Sequence, residues 1–142
     1  MSGFGHLQLS PHFQLREFRC RGTTCGCTGA VKVDETLVAL LEAIREHVGQ
    51  ALTVNCGFRC RDHNADVGGF PDSNHMKGTA ADVTSAKLRF NIEWLAGEIG
   101  EFIRDFAGPG NGNVIYYTAR GFIHVDVSAT NWTTVVREKV GK

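Results

Sequence analysis

Two amphipathic helical stripes, set apart by short alternating runs, constrain this chain more than any other feature. In VDETLVALLEAIREHVG, residues 33–49, Leu37, Leu40, Leu41, Ile44 and Val48 recur at the spacing of one helix face. Asp34 stands where an N-cap belongs, and Gly49 where a helix stops. In KLRFNIEWLAGEIGEFIRDF, apolar residues return at helical spacing from Leu88 to Phe106. The intervening runs are too short for helices: ALTVNCGF, with Leu52 and Val54 facing one way, then TAADVTS, NVIYYT and FIHVDVS. GPGNGN is a turn, ARG joins the last two runs as a hairpin, and the tail NWTTVVREKVGK adds a final strand. A helix with one apolar stripe must bury it against another element. Two main helices with short, partly consecutive strands therefore predict an α+β fold, a single domain with a mainly antiparallel sheet.

The length, 142 residues, suffices for one domain with one sizeable core, and the apolar share of 42% is ordinary. Fifteen Lys and Arg balance fifteen Asp and Glu, which removes the electrostatic case for nucleic acid or an anionic membrane. No apolar run is long enough for a membrane span. MSGFGHLQLSPHF lacks a basic segment followed by an apolar one, so no secretory signal is read. The expectation is a monomer made in the cytoplasm, with any action outside reached by another export or release route. Residues 1–30, rich in Gly, Arg and Cys, read as an irregular arm of the same domain, and residues 31–142 as its main body. RCRDHNADVGGFPDSN, residues 59–74, reads as a long loop, and long loops in small domains are usually functional.

The chain has five Cys. An odd count without a signal argues against a full disulfide framework. Two disulfides, or one metal held by four thiolates with a Cys to spare, remain open beside five reduced thiols packed as small hydrophobes. The spacing of Cys20, Cys25, Cys27, Cys56 and Cys60 is not the paired C-x-x-C of a zinc ribbon.

SNHMKGTAADV, residues 73–83, holds a His, a Gly and an Asp close together among small residues. His75 lies in the loop and Asp82 in the following strand. They meet only if the chain turns back, which Gly78 permits, and Ala80 and Ala81 allow close packing beside them. In FIHVDV, strand alternation puts Phe122, His124 and Asp126 on one face and Ile123, Val125 and Val127 on the other. Two imidazoles and a carboxylate suit Zn²⁺ and leave a fourth position for water. The plainer alternative is that each His is a satisfied structural residue.

These segments resemble the zinc D-alanyl-D-alanine carboxypeptidases and related peptidoglycan peptidases. SNHMKGTAADV matches that family's S-x-H-x-x-G-x-A-x-D motif. CGFRCRDHNADVGG is similar to its S-G-Y-R-S-x-x-H-N-x-x-V-G-G segment, and GFIHVDV to its third-ligand strand. The likeness runs roughly from Phe13 to Val127 and is greatest to the short single-domain type of bacteria and phages. It implies the fold shared with the hedgehog signalling domain, with residues 31–142 as the zinc peptidase-like part. It implies His75, Asp82 and His124 as the zinc ligands. Arg59 would steady the oxyanion or hold a substrate carboxylate, Ser73 would bind substrate or shape the turn, and His63 and Asn64 would fix the loop.

The chain departs from the family at the general base. Many relatives carry Glu or Asp three residues before the third ligand, where Gly121 stands here. The hedgehog-like positions are Thr118 and Phe122. Asp126 is the nearest candidate, either as the proton-transferring group or, in the preferred reading, as a partner that orients a ligand. The resemblance thus implies a zinc metallopeptidase cutting peptide stems of bacterial peptidoglycan, as a D,D- or L,D-carboxypeptidase or endopeptidase. The alternatives are a catalytically weak zinc-containing module of a cell-wall-binding or phage structural protein, and an intracellular domain with a structural zinc.

Overall fold

The computed structural model describes residues 7–108 and 111–128, and the backbone of 134–137. Helix α1 spans Glu35–Val48. The Asp34 carboxylate accepts the Thr36 N–H at 2.7 Å, and Gly49 closes the helix, as the sequence predicts. The stripe from Leu37 to Val48 is buried. The second stripe is not one helix. It divides into α3, Ala86–Phe90, and α4, Ile92–Ala107. Ser85 Oγ accepts the Leu88 N–H at 3.1 Å and starts α3, and Asn91, at φ −136° and ψ 46°, leaves helical geometry between the two. Phe90 therefore points away from the stripe and is 92% exposed. Ile92, Leu95, Ala96, Ile99 and Ile103 carry the buried face of α4.

The main sheet has five strands in the order β3-β4-β6-β5-β7. They are β3 (Thr53–Cys56), β4 (Ala80–Thr84), β5 (Asn113–Tyr117), β6 (Phe122–Asp126) and β7 (Thr134–Arg137). All neighbours pair antiparallel except β5 and β7, which run parallel. The tail thus does add a strand, while 131–133 and 138–142 lie outside the described residues. Val54, Ala81, Val83, Val114, Ile123 and Val125 face α1 and α4 and make one apolar core with them. The alternate residues of the same strands face the opposite side, and the candidate site is built there. The fold is the expected single α+β domain, with a mainly antiparallel sheet and two main helices.

Two stretches read as irregular hold short regular elements. The arm includes a small hairpin, β1 (Gln8–Ser10) with β2 (Phe13–Gln14), and a 3-10 turn at Leu15–Phe18. It carries Phe13 and Phe18, both fully buried, into the core. Residues 59–74 hold helix α2, Arg61–Asp66, and lead into a 3-10 turn at Asn74–Lys77. Cys60 caps α2 through its sulfur, a residue type that carries no capping signal in a sequence. Among the described residues, no helix is long and apolar enough to cross a membrane.

Candidate metal centre

Strand register brings the chemistry together. Cys56 of β3 lies opposite Asp82 of β4, and Asp82 opposite His124 of β6. The three side chains form a row across the face of the sheet that points away from the helices. His75 reaches this row from the 3-10 turn. Gly78 reverses the chain at φ 75°, and a Cβ there would lie 2.6 Å from the Lys32 carbonyl oxygen, so glycine is required on two counts. Seven residues apart in sequence, His75 Nε2 and Asp82 Oδ1 come within 3.4 Å. His124 Nδ1 is 3.0 Å from the same Asp82 oxygen, and the two imidazole centroids stand 5.0 Å apart.

The outer nitrogen of each imidazole is committed. His75 Nδ1–H donates to the Gly57 carbonyl at 2.7 Å, which leaves Nε2 as the nitrogen turned to Asp82. His124 Nε2 lies 3.0 Å from Asp126 Oδ2, which leaves Nδ1 for the site. Asp126 is 2% exposed and also accepts from Ser128 Oγ at 3.0 Å and, more weakly, from Asn113 Nδ2 at 3.4 Å. Such carbonyl and carboxylate partners fix the tautomer and orientation of metal-binding histidines. Cys56 Sγ sits behind the His75 ring, 3.6 Å from Nδ1, so it joins the row from the side of the committed nitrogen.

Burial disfavours every charge here, yet the hydrogen bonds outweigh it. Against burial, bonds to Asp82 and Cys56 push the His75 imidazole up to about 10. Those to Asp126 and Asp82 raise His124. Asp82 and Asp126 are held below the usual carboxylate range, again against burial, by their imidazole partners. Two carboxylates around two imidazoles draw positive charge into the site. A divalent cation competes with the protons for the same nitrogens and oxygen. His75, Asp82 and His124 thus fit a zinc ion by donor type, by the approach of each imidazole to Asp82 and by their fixed outer partners, while Cys56, His75 and Asp82 are the group here whose possible ligand atoms all lie within 4.8 Å of one another.

The cluster forms the floor of an open cleft of about 680 Å³. Arg59, Ser73, Asp72, Phe70, Asn113 and Tyr117 are among its lining residues. Arg59 Nη2 donates to Ser73 Oγ at 3.1 Å, and the His75 N–H donates to the same oxygen at 3.2 Å. Ser73 therefore shapes the turn and anchors Arg59 together. Asn64 is buried and donates to the Phe70 carbonyl at 2.8 Å, tying down the loop at the rim, whereas His63 packs beside Gly22 of the arm. Tyr117 and Phe122 stack at 4.3 Å, with the Arg120 guanidinium 4.9 Å from the Tyr117 ring centre.

Gly121 stands at the β5–β6 turn with φ +73°, and a Cβ there would come within 2.7 Å of Arg89 Nε. A carboxylate-bearing residue would be strained at that position in this backbone. Asn113 and the Gly57 carbonyl were not singled out from the sequence, and Cys56 was weighed only with the other cysteines. Asn113 stands where the GPGNGN turn meets the NVIYYT run, with nothing in its residue type to mark a site, and a backbone acceptor carries no residue-type signal.

The model of the family described as peptidase M15 matches residues 11–126, which include Arg59, Ser73, His75, Asp82, His124 and Asp126. No curated protein matches the chain.

Proposed function

This chain belongs to the peptidase M15 family, and from that premise we propose that it is a zinc-dependent peptidase acting on the peptide stems of bacterial peptidoglycan. The observation that carries the proposal is the convergence of His75 Nε2, Asp82 Oδ1 and His124 Nδ1 at the floor of the cleft, each imidazole held by an outer partner. A zinc ion held there supplies Lewis-acid polarisation of the scissile carbonyl and activates water. Arg59 reaches the cleft from the rim and steadies the oxyanion that develops on that carbonyl, or receives the carboxylate of a stem peptide. Ser73 Oγ accepts from Arg59 and from the His75 N–H, so its own hydroxyl hydrogen serves a substrate carbonyl. Asp126, behind His124, holds that ring in register.

Asp72 is the cleft-lining carboxylate with neither imidazole as a partner, which makes it a candidate for proton transfer beside Asp126. The glycine at position 121 favours a second reading, a zinc-containing cell-wall-binding or phage structural module with weak catalysis. Incubating the zinc-loaded chain with purified peptidoglycan decides between them. Release of new amino groups, with shortened muropeptides by mass spectrometry, supports the peptidase. Sedimentation with the cell wall without any new amino group supports the module. A chain that neither cleaves nor binds the wall would overturn both. Cleavage would bring the chain's site of action to the cell wall, by release or in a phage particle.

A further inference from the structure

Away from the histidines, Cys20, Cys25, Cys27 and Cys60 bring their sulfurs within 4.8 Å of one another. We propose that these four thiolates hold a structural zinc ion that clamps the arm to the loop carrying Arg59. A tetrahedral ion with Zn–S bonds of about 2.3 Å places its sulfurs roughly 3.8 Å apart. Cys25 and Cys27 already stand at 3.5 Å, and all four are free thiols. Backbone groups are aimed at the sulfurs as well. The Cys60 N–H donates to Cys20 Sγ at 3.5 Å, and the His63 N–H to Cys60 Sγ at 3.4 Å. N–H donors of this kind favour thiolates over thiols, as partners around a metal do.

The chain around the cluster is shaped for it. A Cβ on Gly22 would lie 2.7 Å from Cys25 Sγ, so the loop folds back as closely as glycine allows. Thr28, just past Cys27, takes a left-handed φ of 53°, a conformation strained for a non-glycine residue. Residues 19–34 have no helix or strand to hold them, yet Cys20 is 2% exposed. A metal bond closing residues 20, 25, 27 and 60 would add a covalent-strength restraint to the hydrogen bonds that tie Cys20 to Ala30 and Arg21 to Val54. Four sulfurs leave no open position, so the site is structural, and soft thiolates select zinc over magnesium or calcium.

The consequence reaches the cleft through the short segment 56–60. Cys56 borders His75, the Gly57 carbonyl fixes its tautomer, Arg59 lines the cleft, and Cys60 would bind the second metal.

The test is metal analysis of the full chain with cobalt substitution. About two zinc ions per chain are expected, by one ion for each ligand set. Cys25→Ser and Cys27→Ser should each remove one, and His75→Ala with His124→Ala should remove the other. Cobalt in that double His variant should keep the intense near-ultraviolet thiolate-to-metal absorption, which Cys27→Ser should lose. If the Cys variants do not fold, thiol alkylation of the wild type decides. Four thiols should resist the reagent until a chelator is added. Alkylation at equal rate with and without chelator, a disulfide among the four in the intact mass, or cobalt without thiolate absorption would overturn the proposal. Hydrolytic activity does not enter these readouts, so loss of the peptidase assignment leaves them intact.

Discussion

Replacing Asp126 by Asn tests whether that carboxylate orients a ligand or moves a proton. Asp126 receives His124 Nε2 at 3.0 Å and Ser128 Oγ at 3.0 Å while 2% exposed. An ionised carboxylate accepts from both. An Asn side chain offers one oxygen and one amide, so either the His124 N–H faces an amide donor, at a cost of roughly 1–3 kcal/mol, or the amide takes the Ser128 side, where the hydroxyl turns to accept it. Whichever partner loses, the charge behind the His124 ring is gone, and so is its strengthening of Nδ1 as a ligand. Partners of this kind are worth about 10–100-fold in metal affinity, or about 1.4–2.8 kcal/mol. The assay is a zinc titration of peptide-stem hydrolysis beside a competition measurement of zinc affinity. Asp126→Asn should need about 10–100 times more free zinc and then reach nearly the wild-type rate. Normal zinc occupancy with a plateau roughly 10²–10⁴-fold low would refute this and make Asp126 the proton carrier.

Four further outcomes follow from the same geometry. Arg59→Ala should keep its zinc and lose roughly 10²–10³-fold in turnover, read by kcat at saturating zinc; unchanged turnover removes Arg59 from the chemistry. Gly121→Asp should lower stability by about 1–2 kcal/mol without raising activity, because φ is +73° and Arg89 crowds the site; a thermal melt with a parallel rate assay checks both. In the metal-free chain, the raised His75 stabilises fully below its ordinary 6.5, and that gain is lost as pH climbs through about 10. The depressed Asp82 stabilises above its ordinary 3.8, and that gain is lost as pH falls. Metal-free stability should therefore peak between about pH 4 and pH 6.5. Zinc displaces the imidazole protons, so the zinc-dependent rise in Tm should grow from pH 6 to pH 8; a flat dependence would place the metal elsewhere.

What a sequence reveals here tracks how local each determinant is. The α1 stripe, its Asp34 cap and the parity of His124 and Asp126 depend on neighbours a few residues away, and all were legible. The return of His75 toward Asp82 was legible as a possibility, through Gly78. That Asp82 stands opposite His124 was not, because register between strands 42 residues apart is a product of sheet assembly. The break at Asn91 was missed because the apolar spacing continues across it, and Phe90 keeps the pattern while standing in solvent. Helix α2 was missed because six residues are too few to show a period. The grouping of four cysteines needs Cys60 beside Cys20, forty residues away in the chain, and no short spacing announces that.

The pairing of β4 with β6 also sets an order of events during synthesis. Chains emerge from the ribosome N-terminal end first. All four cysteines of the arm cluster are out once Cys60 has appeared, whereas the His75 and Asp82 side chains must wait for His124, more than forty residues later. Until β6 docks, β4 carries an unpaired edge, and the Asp82 carboxylate lacks its His124 partner. The nascent chain can thus bring its four clustered cysteines together before the His75, Asp82 and His124 cluster exists, and that cluster is complete only when β6 has docked.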